Sequence, residues 1–311
     1  MPDSDRVLTT LTRTQGANQA LKDGSVTPDG FSLEFTEIPV LVQGFRRMVR
    51  TLEFDVSEMA LTTYLTAREH GVAFTALPVF LVRGFHHGAV RYNVRSGITH
   101  PKDLEGRRVG VNRGYTVTTG VWARGILATE YGVDLDRVTW VLSGDEHVAS
   151  YVAPANVIAA DSDADLATML VEGALDAVIG VDVEHPDVAP LIADPDEAAM
   201  AALRQRGFYP INHLVVVRNE VLARYPQVAT ALFDAFDEAK RRYVDRLVAG
   251  TAADRPYAQV LDATGADPLP YGIDANREML EQLMEYALAQ RILTAPVDID
   301  DLFTPISART N

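Results

Sequence analysis

The chain has 311 residues, 47% of them hydrophobic and 23% charged, with a formal net charge of −15 and no cysteine. That length can bury a large core in one or two domains, and the acidic excess argues against nucleic acid and anionic membranes as partners. The missing thiols exclude disulfides, thiolate nucleophiles and cysteine-bound metals.

The opening Met1-Pro-Asp-Ser-Asp-Arg6 has no basic and no apolar segment. No apolar run approaches the roughly eighteen residues of a membrane span, so a cytoplasmic protein without membrane attachment is expected. Residues 7–11 and 31–35 alternate with period two and predict strands. Leu41, Phe45, Met48, Val49 and Leu52 recur at helical spacing and predict a helix over 40–52. Residues 54–56 predict a short strand, and 58–69 a helix stopped by Gly71. Apolar strands are expected over 74–82 and 89–94, and a short helical turn at Pro101. A strand over 108–112 then leads to a helix from Thr118 to Tyr131, with Gly132 just beyond it. Further on, strands are expected over 138–142, 175–179 and 211–217, and helices over 165–172, 226–248 and 275–292.

Strands alternating with helices predict an α/β fold of parallel sheets covered on both faces. Residues 96–210 form a self-contained run of βα units. Residues 1–95 and 211–311 therefore read as one discontinuous lobe, and 96–210 as a second lobe inserted into it through two crossover strands. Ligands of such folds are expected in the cleft, at the carboxyl ends of strands.

The stretch from Leu104 to Arg124 is the most informative. Its strand, glycine turn and helix start aim backbone N–H groups and the hydroxyls of Thr118 and Thr119 at one point, beside Arg113 and Tyr115. That pattern suits an anion, often a carboxylate. A plain helix cap with a surface arginine fits the same letters. Arg124, in the second helical turn, suits a salt bridge as well as ligand contact.

Other polar residues fall where strands end. Ser57 and Glu58 read either as a helix cap and first turn, or as groups facing the cleft. Arg83, His86 and His87 follow an apolar strand, and adjacent histidines point different ways, so one of them at most faces a ligand. His213 lies inside a β-branched strand, as a core residue or as a cleft residue beside the second crossover. His147 reads as part of a surface loop, or as lining the second lobe's side of the cleft. His87, His213 and Glu58 could surround a divalent ion such as zinc, although no short-range ligand motif is present.

Several segments resemble one family. They are Phe54-Asp-Val-Ser-Glu-Met59, Pro78-Val-Phe-Leu-Val-Arg-Gly-Phe-His-His87, Asp103-Leu-Glu-Gly-Arg-Arg-Val-Gly-Val111, Thr119-Gly-Val-Trp-Ala-Arg-Gly-Ile-Leu127, Glu130-Tyr-Gly-Val-Asp134 and Tyr209-Pro-Ile-Asn-His213. Together they resemble 4,5-dihydroxyphthalate decarboxylase, strongly over 54–217 and weakly in the C-terminal third. The run from Asp103 is shared with many solute-binding proteins and supports the fold only, whereas the run from Thr119 is narrower. At His86 the chain departs from the family's arginine.

The resemblance implies a two-lobed, type II periplasmic-binding-protein-like fold acting inside the cell as a carboxy-lyase on a small aromatic carboxylate. No organic cofactor is expected. His87 is the expected general acid, and His213 or Glu58 the group that handles the phenol. Arg113 and Arg83 are expected to bind the retained carboxylate. Alternatives are a solute receptor for an aromatic or sulfonate anion, a dehydratase on the same fold, and a decarboxylase of another aromatic acid. The oligomeric state is left open, a homo-oligomer included.

Overall fold

A computed structural model describes residues 6–161, 164–247, 251 and 253–306. The opening residues Met1–Asp5 and the expected helix end at Val248 lie outside the described residues. In chain order the strands are β1 (Arg6–Leu11), β2 (Phe31–Thr36), β3 (Val56–Ala60), β4 (Phe74–Arg83), β5 (Val90–Asn93), β6 (Arg108–Val111), β7 (Thr139–Leu142), β8 (Val157–Ala159), β9 (Ala177–Ile179), β10 (Val188–Pro190) and β11 (Ile211–Arg218).

The strands form two sheets, ordered β2-β1-β3-β11-β4 and β10-β5-β9-β6-β7-β8. Both are mixed, where the sequence pattern predicted parallel sheets. In the first, β1 runs parallel to β2 and β3, while β11 is antiparallel to both β3 and β4. In the second, β9, β6, β7 and β8 are parallel, while β5 is antiparallel to β9 and β10. Local periodicity identifies a strand but carries no information on the direction of its partner.

The chain divides into two compact units. One holds Met1–Gly84, Ile211–Glu281 and Val297–Asn311; the other holds Phe85–Pro210 and Gln282–Pro296. The first passage therefore falls between Gly84 and Phe85, not at the 95/96 boundary read from the sequence, because β5 pairs with β9 and β10 in the second sheet. The segment Gln282–Pro296 also joins the second unit, not the first. Its Tyr286 ring packs on Gly125, where an added Cβ would sit 2.0 Å from the ring, and meets Trp122 edge-on at 5.6 Å.

Each unit has its own apolar core. In the first, Leu8, Phe31, Val56, Leu77, Val79, Val215 and Val217 pack with Leu232 and Phe236 of the helix Val228–Val244. In the second, Val141, Leu166, Leu170, Leu175 and Val178 form a cluster. Full burial of each such side chain contributes about 1.5–3 kcal/mol, which holds the strands that present the polar groups below.

Two local features matter for the site. The helix expected from Thr118 spans Thr118–Tyr131 and closes on Gly132 at φ 67°, a left-handed cap that glycine adopts freely. Ser57 and Glu58, in contrast, do not open a helix. They lie in β3, all five of whose residues are buried, and the helix begins only at Leu61. Strands β8 and β10 and the helices Pro195–Arg206 and Arg255–Thr264 have no counterpart in the elements read from the sequence. Among the described residues no helix is long and apolar enough to cross a membrane.

Candidate active site

In the first unit the sheet brings Glu58 and His213 together. Strand β11 pairs with β3 so that His213 lies opposite Ala60 and Val215 opposite Glu58, which makes the two side chains diagonal neighbours. On its other side, the register of β11 against β4 shifts on both flanks of His213. Such an irregularity turns a strand side chain out of its regular direction.

Glu58 Oε1 lies 2.7 Å from His213 Nδ1, and Glu58 Oε2 accepts the Arg13 backbone N–H at 2.9 Å. Glu58 is fully buried, whereas the His213 side chain keeps 19% exposure and meets the Phe45 ring edge-on at 5.2 Å. With a partner on each oxygen, the carboxylate can occupy a wholly buried strand position. An ionised Glu58 only accepts, so His213 Nδ1 donates to it, and Nε2 is the nitrogen left for proton exchange.

The surrounding residues complete a polar cluster. Ser57 is buried, with its hydroxyl donating to the Glu58 carbonyl at 2.7 Å, so it neither caps a helix nor offers that proton to a ligand. Arg83 is 7% exposed and donates through Nη1 to Asn276 Oδ1 at 2.8 Å. Asn276 is itself fixed by its amide, which donates to the Pro270 and Gly272 carbonyls. Burial pushes the Tyr257 phenol up, and the Glu58 charge adds to this; the Arg83 backbone N–H and the charges of Arg13 and Arg83 oppose it. Arg13, Asn276 and Tyr257 escaped the sequence reading, since nothing in their local pattern marks them.

The second unit holds a different pair. His86 and His87 are both buried, and His87 Nε2 lies 3.1 Å from Glu130 Oε2. The other Glu130 oxygen accepts from Arg206, and His87 meets the Phe208 ring edge-on at 6.0 Å. His87 Nδ1 is buried without a hydrogen-bond partner. Burial alone would raise the Glu130 pKa, but His87 and Arg206 outweigh it and hold the carboxyl below its usual range. His87, expected as the general acid, is thus enclosed and tied by Nε2 to a carboxylate; it offers no proton to a ligand from that nitrogen.

The loop before the helix Thr118–Tyr131 also differs from expectation. Arg113 is exposed at φ 70°, and its backbone N–H donates to Ser143 Oγ at 2.8 Å. The N–H groups of Tyr115 and Thr116 and the Thr116 hydroxyl all donate to the Glu146 carboxylate. An internal carboxylate therefore occupies donors of the kind the sequence reading reserved for a ligand. Thr118 is buried and Thr119 half-buried.

Arg124 is fully buried, and among the described residues it makes no salt bridge. Its Nε donates to Gln290 Oε1 at 2.8 Å, its Nη2 to the Tyr115 carbonyl at 2.6 Å, and its guanidinium carbon lies 3.8 Å from the Tyr115 ring centre. Burial lowers its pKa, with Tyr115, Tyr151 and Glu146 acting in the opposite sense. His147 is buried as well, not part of an open surface loop.

Of the three residues considered for a metal, His213 and Glu58 meet, while His87 lies in the other unit and bonds to Glu130. Among the described residues no group of three or more His, Asp or Glu side chains converges as a metal site would.

Over 312 aligned residues the chain is 31% identical to 4,5-dihydroxyphthalate decarboxylase of Comamonas testosteroni, covering 92% of this chain and 93% of that protein. The chain belongs to the 4,5-dihydroxyphthalate decarboxylase family. It shares 34% identity over 197 residues with the Pseudomonas putida decarboxylase, covering 58% of this chain and 74% of that one. This places the chain among the carboxy-lyases. No protein-family model matches it.

Among solved structures, the aliphatic sulphonate binding protein of Escherichia coli aligns with a TM-score of 0.54 at 11% identity, over 96% of this chain and 98% of that one. A desulfurization enzyme holding biphenyl-2-sulfinic acid aligns with a TM-score of 0.56 at 18% identity, over 97% of each chain. At such identities the likeness establishes the fold, that of the type II periplasmic-binding proteins, and nothing about ligands.

Proposed function

We propose that this decarboxylase converts 4,5-dihydroxyphthalate to protocatechuate and CO2, with His213 as the proton-transfer group and Glu58 as the residue that positions it. Each carboxylate of that substrate is para to a phenolic hydroxyl. As the hydroxyl gives up its proton, electron density reaches the para carbon, which takes a proton and becomes tetrahedral. The carbon–carboxylate bond then breaks and its electron pair returns to the ring, which regains aromaticity as a phenolate and takes back a proton on oxygen to give the phenol. One proton is consumed and one CO2 is released, with no oxidant or reductant. The substrate's own keto tautomer serves as the electron sink.

The observation that carries this assignment is the Glu58–His213 pair, in which a buried carboxylate holds Nδ1 of a partly exposed histidine. With Nδ1 held by the carboxylate, Nε2 is the ring nitrogen that exchanges a proton with the substrate carbon. Family membership supports the substrate class. His87 receives no proton-transfer role, because it is fully enclosed and bonded to Glu130. Arg83, anchored by Asn276, is assigned to a substrate oxygen near this pair.

The test is an assay of the purified protein on 4,5-dihydroxyphthalate and a panel of hydroxylated benzoates, following ring absorbance and CO2, with and without a chelator. Turnover is expected without an added organic cofactor. Phthalate, which lacks the para hydroxyl, should bind and not react. Tight binding of one panel member with no turnover on any would replace this reading with that of a solute receptor.

A further inference from the structure

We propose that Arg13, together with the hydroxyl of Tyr257, binds the carboxylate that the substrate keeps. The role rests on the decarboxylation proposed for the Glu58–His213 pair. The two carboxylates of that diacid stand on adjacent ring carbons, so the group that holds the retained one must lie beside the group that delivers the proton. Arg13, Tyr257, Glu58 and His213 all belong to the first unit.

The main chain at Arg13 is fixed on the proton-transfer pair. Strand β1 ends with Leu11 opposite Ser57 of β3, which puts Thr12 next in line with Glu58. The Arg13 N–H donates to Glu58 Oε2 at 2.9 Å, and the Arg13 carbonyl accepts from Asn18 Nδ2 at 2.8 Å. The Thr12 carbonyl accepts from Lys22 Nζ at 2.6 Å. The Arg13 side chain is the part left over. It is exposed, and among the described residues no carboxylate pairs with its guanidinium. Arg83, the other arginine of this cluster, is anchored to Asn276, and Arg113 lies in the second unit. A guanidinium fork matches the two oxygens of a carboxylate.

Two hydroxyls with unused hydrogen-bonding capacity stand at the same place. Thr12 is 1% exposed, and its Oγ1 is buried without a hydrogen-bond partner. Such a group points to a partner supplied from outside the chain. Tyr257, in the helix Arg255–Thr264, is half-buried. Its hydroxyl oxygen accepts the Arg83 backbone N–H, and the charges of Arg13, Glu58 and Arg83 all act on it. Among the described residues nothing accepts the hydrogen of that hydroxyl. Burial keeps the hydrogen in place, so the phenol is a donor. Its ring meets Tyr243 edge-on at 6.4 Å, and Tyr243 packs on Gly16, where an added Cβ would sit 2.1 Å from the ring. The helix that carries Tyr257 is thereby docked to the turn that carries Arg13. A cation and a neutral O–H donor on two such elements suit a carboxylate, and they leave Glu58 to His213.

The experiment uses Arg13→Gln and Tyr257→Phe in the full-length protein, with phthalate as the probe in equilibrium binding. Arg13→Gln should weaken phthalate by about 10–100-fold, the range for losing a hydrogen bond to a charged group. Tyr257→Phe keeps the ring on Tyr243 and removes only the hydroxyl, and should weaken it by about tenfold. On 4,5-dihydroxyphthalate both variants should raise KM by more than they lower kcat, because the retained carboxylate is held alike before and during reaction; a merely structural role would not give that split. Phthalate affinity of Arg13→Gln equal to the parent's overturns the seat, as does failure of the parent to bind phthalate. Parent-like affinity in Tyr257→Phe overturns the part given to the phenol. Should Tyr257→Phe not fold, Arg13→Gln, at an exposed position, decides alone. Turnover by the parent judges the decarboxylation separately: turnover with unchanged affinity in Arg13→Gln sinks the seat alone, and weakened affinity with no turnover in the parent keeps a carboxylate seat and sinks the decarboxylation.

Discussion

Each unit contains one histidine bonded to one glutamate, and the two pairs are inverted in burial. In the first, Glu58 is enclosed and His213 is partly open, at 0% and 19% side-chain exposure. In the second, His87 is enclosed and Glu130 is partly open, at 0% and 20%. The anions differ too. Glu58 is held by His213 and one backbone N–H, whereas Glu130 also accepts from Arg206. Among the described residues no cation besides His213 is bonded to Glu58, while Glu130 is shared between His87 and Arg206. On the proposed reading the same two residue types make a proton carrier in one unit and a structural clasp in the other. Which member reaches solvent, and whether a third charge shares the carboxylate, makes the difference.

The largest expected effect separates the pairs by turnover. His213→Ala should lower kcat by about 10²–10⁴-fold, the usual range for a general acid or base, with little change in KM. Glu58→Gln should lower it less, since the neutral amide still accepts from Nδ1 and holds the ring. An equal loss of kcat in His87→Ala, measured in single turnover, would break the comparison.

A smaller effect is expected in stability, on the other pair. Glu130→Gln removes a carboxylate shared by His87 and Arg206, and should cost about 1–3 kcal/mol in urea unfolding, with kcat within a few-fold of the parent. A variant as stable as the parent would mean that the clasp contributes nothing.

The smallest effect is the pH dependence of that contribution. The folded-state pKa of Glu130 is lowered, so its stabilisation is present above the unfolded carboxyl pKa of about 4.3 and is lost as pH falls through the folded value. The melting temperature of the parent should accordingly fall more steeply below about pH 4 than that of Glu130→Gln. Parallel curves would sink the assignment.

Much of the chain was legible because the signals were local. The strands at Arg6–Leu11 and Phe31–Thr36 and the helix Leu41–Thr51 follow from apolar spacing over a few residues. The helix Thr118–Tyr131, with Gly132 as its stop, follows from one glycine and a run of apolar letters. Glu58 was misplaced by the same kind of reasoning. A glutamate after a serine suits a helix start, and a histidine 155 positions away together with the Arg13 backbone N–H makes it fit a buried strand.

The sequence by itself determined that the chain is an α/β protein of this decarboxylase family, that no thiol takes part in its chemistry, and which short segments hold its polar residues. Tertiary structure alone decided which of those residues meet. Glu58 finds His213 across two strands, His87 finds Glu130 43 positions on, and the loop amides at Tyr115 and Thr116 find Glu146 about 30 positions on. The physical reason is one of range. Periodicity, caps and turns act over a few residues and are written in neighbouring letters. The burial of a charge depends on a partner brought by sheet register and core packing, which no local window contains.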